Sequence, residues 1–472
     1  DLQRIQSVLD NLGDEDLMLL LEQERAGHRN RYPRFGERVL GAPAQSTSLA
    51  SWDFVLKGVR PLMVGGDLTV LQRRLGVSSA VMLGLGSILG TGIFVSFGLA
   101  AGIAGPSVVL AIVLASGVAT LNALSSAQLA AAHPVSGGTY EYGYRYLSPG
   151  LGRLAGWLFL LAKSASAATA AIGFSSYAVL ALGVNSGLRV PLAVLTVVSF
   201  TGIVLGGIRR TSAVNSIIVS VTLVSLLAFV GAGFWFRSEE ASAENFAPFF
   251  WGEGLGDSGG NFFFATALMF VAFTGYGRLA TLAEEVRDPR RTIPRAIIIT
   301  LVVSAFLYVA VAAAGVASVG AKFLSEATRT SAAPLQAAAR EMEVPWLGWL
   351  VTTGAAAAML GVLLNLILGL SRVLLAMGRR GDMPASFARV DQAGTTPTVS
   401  VAVTGAVIAG LTLIGSVTFT WSLSAFTVLL YYAITNAAAL AMPAEERLYP
   451  RWIPVAGLAC CLGLALWVGI SI

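Results

Sequence analysis

Four glycines crowd one apolar run, 84-GLGSILGTG-92, and two more stand in a second, 270-FVAFTGYGRLATLAEE-285. Each glycine lowers helix stability by about 1 kcal/mol relative to alanine. One reading is close helix packing through small residues, with Gly86 and Gly90 four apart. The other is a helix that breaks near Gly90-Thr91-Gly92, and again near Gly275 and Gly277. Unwound backbone inside a membrane must be buried in protein or line a cavity. Its amides and the half-helix N-terminus then face an anionic group such as a carboxylate. Two cations accompany these glycines. Lys163 lies deep in 157-WLFLLAKSASAATAA-171, where burial costs about 2.5–3.5 kcal/mol on insertion scales. It either bonds to backbone carbonyls or faces a central cavity. In a cavity it could contact a substrate carboxylate, stand in for a bound cation or exchange a proton. Arg278 follows the second glycine pair and reads as an inner-gate charge paired with Glu284 or Glu285.

Other chemistries lack their residues. The two cysteines, Cys460 and Cys461, are adjacent, and His28 and His133 are the two histidines, so no metal site is expected. The glycines of 84–92 are not followed by Lys-Ser/Thr, which argues against ATP-driven transport. No nucleophile–base pair is visible, so the chain does not read as an enzyme. The 26 carboxylates fall outside the middles of the apolar runs, leaving no acidic proton relay across the centre. No cofactor is expected, and a coupling ion, proton or sodium, is left open.

The elements that must position these residues are apolar helices. Of 472 residues, 55% are hydrophobic and 12% charged, with a mean hydropathy of +0.74. A soluble chain carries about 25% charged residues. Soluble enzymes and nucleic-acid binders are therefore excluded. Runs long enough to cross a bilayer as helix cover roughly 79–101, 106–132, 151–183, 189–207, 213–236, 262–283, 294–319, 350–378, 398–417, 421–442 and 453–472. That makes an all-α integral membrane protein of about 11 spans, with a twelfth beyond Ile472 left open. The alternate loops that share a side with the N-terminus hold thirteen Lys and Arg against five in the others, which places the N-terminus in the cytoplasm, or on the matrix or stromal side in an organelle. Residues 1–78 form a separate region with two short amphipathic helices and a basic stretch, Arg25 to Arg38, and read either as a solvated cytoplasmic tail whose basic residues face lipid headgroups or as a docking element for a protein partner or for the protein's own inner face. The interrupted spans stand five apart and run in opposite directions, as an inverted repeat of two five-span halves requires.

The blocks 84-GLGSILGTGIFVSFGLAAGIAGPSVVLA-111, 134-PVSGGTYEYGY-144, 273-FTGYGRLATLAEEVRDPRRTIPRAI-297 and 371-SRVLLAMGRRGDMPASFARV-390 resemble an amino acid permease of the amino acid–polyamine–organocation superfamily, near its cationic-amino-acid-transporter-like branch. The resemblance covers roughly residues 75–472. It implies a leucine-transporter-type fold with spans 1 and 6 broken around the substrate. It also implies that Ser87, Ile88, Gly90, Thr91 and Gly92 bind the substrate's carboxylate and amino group, while Ala272, Phe273, Thr274 and Gly275 supply the facing side, with Phe273 a gate. Two positions depart from relatives. Thr222, in 212-SAVNSIIVSVT-222, stands where some carry a lysine at a sodium-like site, and Lys163 stands where some carry a carboxylate. These changes favour neutral or acidic amino acids over cationic ones. The expectation is secondary active transport, symport or exchange, by alternating access across the lipid bilayer, with no nucleic-acid partner. A permease-like structural or accessory subunit of a larger membrane complex is the alternative.

Overall fold

A computed structural model describes residues 76–133, 137–207, 212–235, 243–250, 258–278, 288–391 and 396–471. The chain divides into two units, Asp1–Leu71 and Gln72–Ile472, and the described residues belong to the second. Residues 1–75 of the expected N-terminal docking region lie outside the described residues, as do Glu284 and Glu285.

The first apolar stretch, Val77–Ala132, is 56 residues long and folds in pieces. Helix α1 (Val77–Ile88) gives way at Leu89, a π-turn spans Gly92–Ser96, and α2 (Phe97–Ala104) follows. A 3-10 turn at Gly105–Ser107 leads into α3 (Val108–Ala132). The short α4 (Thr139–Tyr146) precedes the long α5 (Pro149–Leu182). Then come α6 (Arg189–Leu205), α7 (Ser212–Trp235) and α8 (Ser258–Phe273). Helix α9 (Pro289–Ser331) bends at Gly320, whose φ of 80° and ψ of 156° suit glycine. The rest of the bundle is α10 (Pro334–Glu341), α11 (Pro345–Arg380), α12 (Thr398–Leu413), α13 (Val417–Ala441) and α14 (Trp452–Ser471).

Among the described residues, nine helical stretches are long and apolar enough to cross a membrane, and Thr398–Leu413 is a shorter apolar helix. Two expected spans, 79–101 and 106–132, fall within one such stretch. The expected 294–319 and 350–378 prove longer, reaching Ser331 and Arg380. Proline at the first turn of α5, α9, α10 and α11 starts helices where its missing N–H is harmless. Gly183 and Gly381, in the left-handed region, end α5 and α11.

Helix α5 is the central post. It packs along α13 and α11, and 72% of its most apolar window is buried, against 22% for α6 at the periphery. Small residues permit this: Ala165, Ala167, Ala168, Ala170 and Ala171 are all fully buried. Outward-facing Ile217, Val302, Phe306 and Leu466 are 63–78% exposed, the apolar surface that lipid requires.

Candidate functional site

The site begins where α1 stops. Leu89 is extended (φ −68°, ψ 106°), and the Gly90 carbonyl accepts from the amides of Ile93 and Phe94, both at 3.2 Å. A helix therefore restarts at Thr91. The first amides of a restarting helix have no intrahelical acceptor, and they carry the positive end of its dipole. Carbonyls beside the break are held by tyrosines: Tyr308 donates to the Ile88 carbonyl at 2.7 Å, and Tyr177 to that of Phe94 at 2.6 Å.

Helix α8 faces this break. It ends at Phe273 and tightens into a 3-10 turn over Thr274–Tyr276. The two segments meet backbone to backbone. A Cβ on Gly275 would overlap the Ser87 carbonyl, and one on Gly92 would overlap the side chain of Ala272. Glycine is needed here for close approach. The packing role of the other glycines is also present, since Gly86 abuts Asn215 of α7 and Gly90 abuts Val362 of α11.

Between the segments lies a cavity of about 180 Å³. Ser87, Ile88, Thr91 and Gly92 line one side, and Ala272, Thr274 and Gly275 the other. Gly90 and Phe273, expected on the wall, do not reach it. Gly90 is turned to Val362, and the fully buried Phe273 packs on Tyr308 with ring centroids 5.1 Å apart. Thr222 also lies off the wall; its hydroxyl donates back to the Ile218 carbonyl at 2.8 Å. Lys163 is on the wall, and its ammonium donates to the Thr274 hydroxyl at 2.8 Å. Thr274 spends its own proton on the Val271 carbonyl, 2.7 Å away. Thr91, 4% exposed, has no hydrogen-bond partner for its hydroxyl.

Several wall residues were not singled out from sequence. Trp421 holds the Leu268 carbonyl at 2.9 Å, and Ser166 bonds Ser424 at 2.7 Å, fixing α5 to α13. Asn365 and the exposed Arg372 come from α11, and Arg278 donates to the Asn365 carbonyl at 3.0 Å. Polar residues inside an apolar run, such as Asn365, were the available signal. No carboxylate lines the cavity among the described residues.

The cavity extends toward the bundle end that holds α4, reaching Gly137, Arg372 and Val373. There Asp382 accepts from the hydroxyls of Tyr140 (2.7 Å) and Tyr144 (2.6 Å). Arg380 pairs with Glu141 and stands 4.2 Å from the Tyr144 ring centroid. Burial pushes the Glu141 carboxyl above its ordinary value, Arg380 pulls it back, and Asp382 adds to the rise. Thr139 bonds Thr435 at 2.7 Å, so α4 is fastened to both α11 and α13.

The chain has relatives among named transporters. An uncharacterized transporter of Mycobacterium tuberculosis is 41% identical over 403 residues, covering 85% of this chain and 87% of the relative. The branched-chain amino acid permease BcaP of Bacillus subtilis is 28% identical over 418 residues, 84% and 86% of the two chains. The vacuolar cationic amino acid transporter 2 of Arabidopsis thaliana is 28% identical over 356 residues, 71% of this chain and 54% of that protein. Residues 79–472, which hold every segment lining the cavity, match the amino acid permease family, and the chain belongs to that family of multi-pass membrane transporters.

Proposed function

We propose that the chain is a secondary active amino acid transporter that works by alternating access, with neutral or acidic amino acids as substrates. One observation carries the reading: the restarting helix at Thr91, with its unpartnered buried hydroxyl, fronts a cavity closed on the far side by the 3-10 turn at Thr274. A substrate α-carboxylate fits that start, where free amides, a hydroxyl and the dipole converge. Ser87, Ile88 and Gly92 on one side, and Ala272 and Gly275 on the other, enclose the rest of the zwitterion. The wall cations Lys163, Arg278 and Arg372 disfavour a cationic side chain by like-charge repulsion.

In this reading the two interrupted segments belong to matching halves of a leucine-transporter-type 5+5 inverted repeat. The excess of Lys and Arg supports a cytoplasmic N-terminus. The cavity, extending toward α4, is then in its inward-facing state. Substrate binding would shift the balance between inward and outward states by its differential affinity for them.

The test is uptake of labelled amino acids by the full chain in proteoliposomes, with and without proton or sodium gradients, and counterflow to detect exchange. Saturable uptake competed by neutral or acidic amino acids is expected. Arginine outcompeting alanine and glutamate would overturn the substrate assignment. Absence of any uptake by a folded, monodisperse protein would overturn transport itself and favour an accessory subunit.

A further inference from the structure

We propose that Lys163 recognises a second, side-chain carboxylate, which makes the acidic amino acids the substrate class; this rests on the transporter reading above. The side chain is 8% exposed and stands on the cavity wall, on the rigid central post α5. An ammonium has three hydrogens to donate. One goes to the Thr274 hydroxyl. Because Thr274 directs its own proton at the Val271 carbonyl, the oxygen it turns to Lys163 can only accept. The other two donors find no acceptor among the described residues.

The α-carboxylate does not need Lys163. The helix restart at Thr91 provides for it on a different element, and the Thr91 hydroxyl still lacks a partner. Lys163 is thus a second anion-binding feature facing the same small space. No carboxylate on the described wall compensates it. A substrate with a neutral side chain would leave that charge uncompensated at mid-membrane, where burial without a counter-ion is most costly. An acidic side chain supplies the counter-ion and completes the ammonium's hydrogen bonds. Charge-assisted bonds are roughly twice as strong as neutral ones. An amide side chain matches the shape of the acid but offers only a dipole. Lys163 therefore separates glutamate from glutamine and aspartate from asparagine by charge, at nearly constant size.

The experiment measures binding of L-glutamate, L-aspartate, L-glutamine and L-asparagine to the purified full chain. In the unsubstituted protein each acid is expected to bind roughly tenfold or more tightly than its amide, the equivalent of about 1.4 kcal/mol. Lys163→Met is expected to bring the acid-to-amide ratio toward one, and Lys163→Arg to keep it above one. Equal or tighter binding of the amides by the unsubstituted protein overturns the proposal, as does an acid preference that survives in Lys163→Met. If Lys163→Met is not monodisperse, the ratio in the unsubstituted protein decides alone. A chain that binds an amino acid but prefers amides refutes the role of Lys163 and leaves the transporter reading standing. A folded chain that binds no amino acid refutes the transporter reading.

Discussion

Gly275 rests directly on the peptide of Ser87: a Cβ at 275 would overlap the Ser87 carbonyl and come within 2.7 Å of the Ile88 amide. The two interrupted segments, nearly two hundred positions apart in sequence, are therefore in backbone contact at the cavity. Their shapes depend on each other, because a side chain on either surface would hold the other away.

Gly275→Ala is expected to push the segments apart. The atoms it meets are backbone, so no flexible side chain can yield, and overpacking of this kind costs about 1–3 kcal/mol. The apparent Tm should fall and the ligand-dependent rise in Tm should be lost. Gly463→Ala is the control: nothing lies within 4 Å of its Cβ on α14, and the change should stabilise slightly through helix propensity. Equal behaviour of the two variants would refute the contact.

Thr91→Val separates a structural role from a binding role. Its hydroxyl is buried and unpartnered, so removing it should relieve rather than cost stability, by about 1 kcal/mol. Ligand affinity should fall, since the carboxylate loses a donor, and Thr91→Ser should restore it. A Thr91→Val protein that is less stable yet binds normally would contradict this placement.

The break itself is legible in the amino-acid sequence because glycine carries its conformational cost wherever it stands. Gly90 and Thr91 bracket the observed restart within a residue or two. Lys163 is legible for a similar reason, since an ammonium at mid-membrane demands a partner. Which partner is not legible: Thr274 lies 111 positions away, and the pairing depends on how α5 and α8 are rotated in the bundle. Phe273 is not legible for a related reason. It stands where α8 gives way to the 3-10 turn, and there Ala272 and Thr274 reach the wall while Phe273 packs on Tyr308. Thr222 illustrates a second limit, because a hydroxyl in a helix can satisfy itself on the preceding turn, here at Ile218. The fastening of α4 to α11 joins two blocks visible as motifs, yet nothing in either names Asp382 as the acceptor for Tyr140 and Tyr144.

Asp382→Ala should loosen that fastening. It strands two tyrosine hydroxyls, one of them on a residue 1% exposed, and each charge-assisted bond is worth about 1.5–3 kcal/mol. A marked drop in Tm is expected, with faster proteolysis in the loop before α5. Tyr144→Phe, which removes one bond at the more accessible ring, should cost less than Tyr140→Phe. The reverse order would mean that burial does not set the strength of this cluster.

Glu141 should give this region a pH dependence. Burial raises its carboxyl above the ordinary 4.5, and the neighbouring Asp382 adds to the rise, outweighing the attraction of Arg380. The folded protein therefore holds the Glu141 proton more tightly than the unfolded chain does. Linkage then lowers stability as pH climbs from about 4.5 through the raised value, and the loss is complete above it. Glu141→Gln carries no such proton. Subtracting its Tm–pH curve from that of the unsubstituted protein should leave a component that falls with rising pH over this window and is flat beyond it. Removing the Arg380 guanidinium should move the window upward, because its charge is the one influence holding the carboxyl down. A difference curve that rises with pH would mean that the ion pair with Arg380, not burial, governs Glu141.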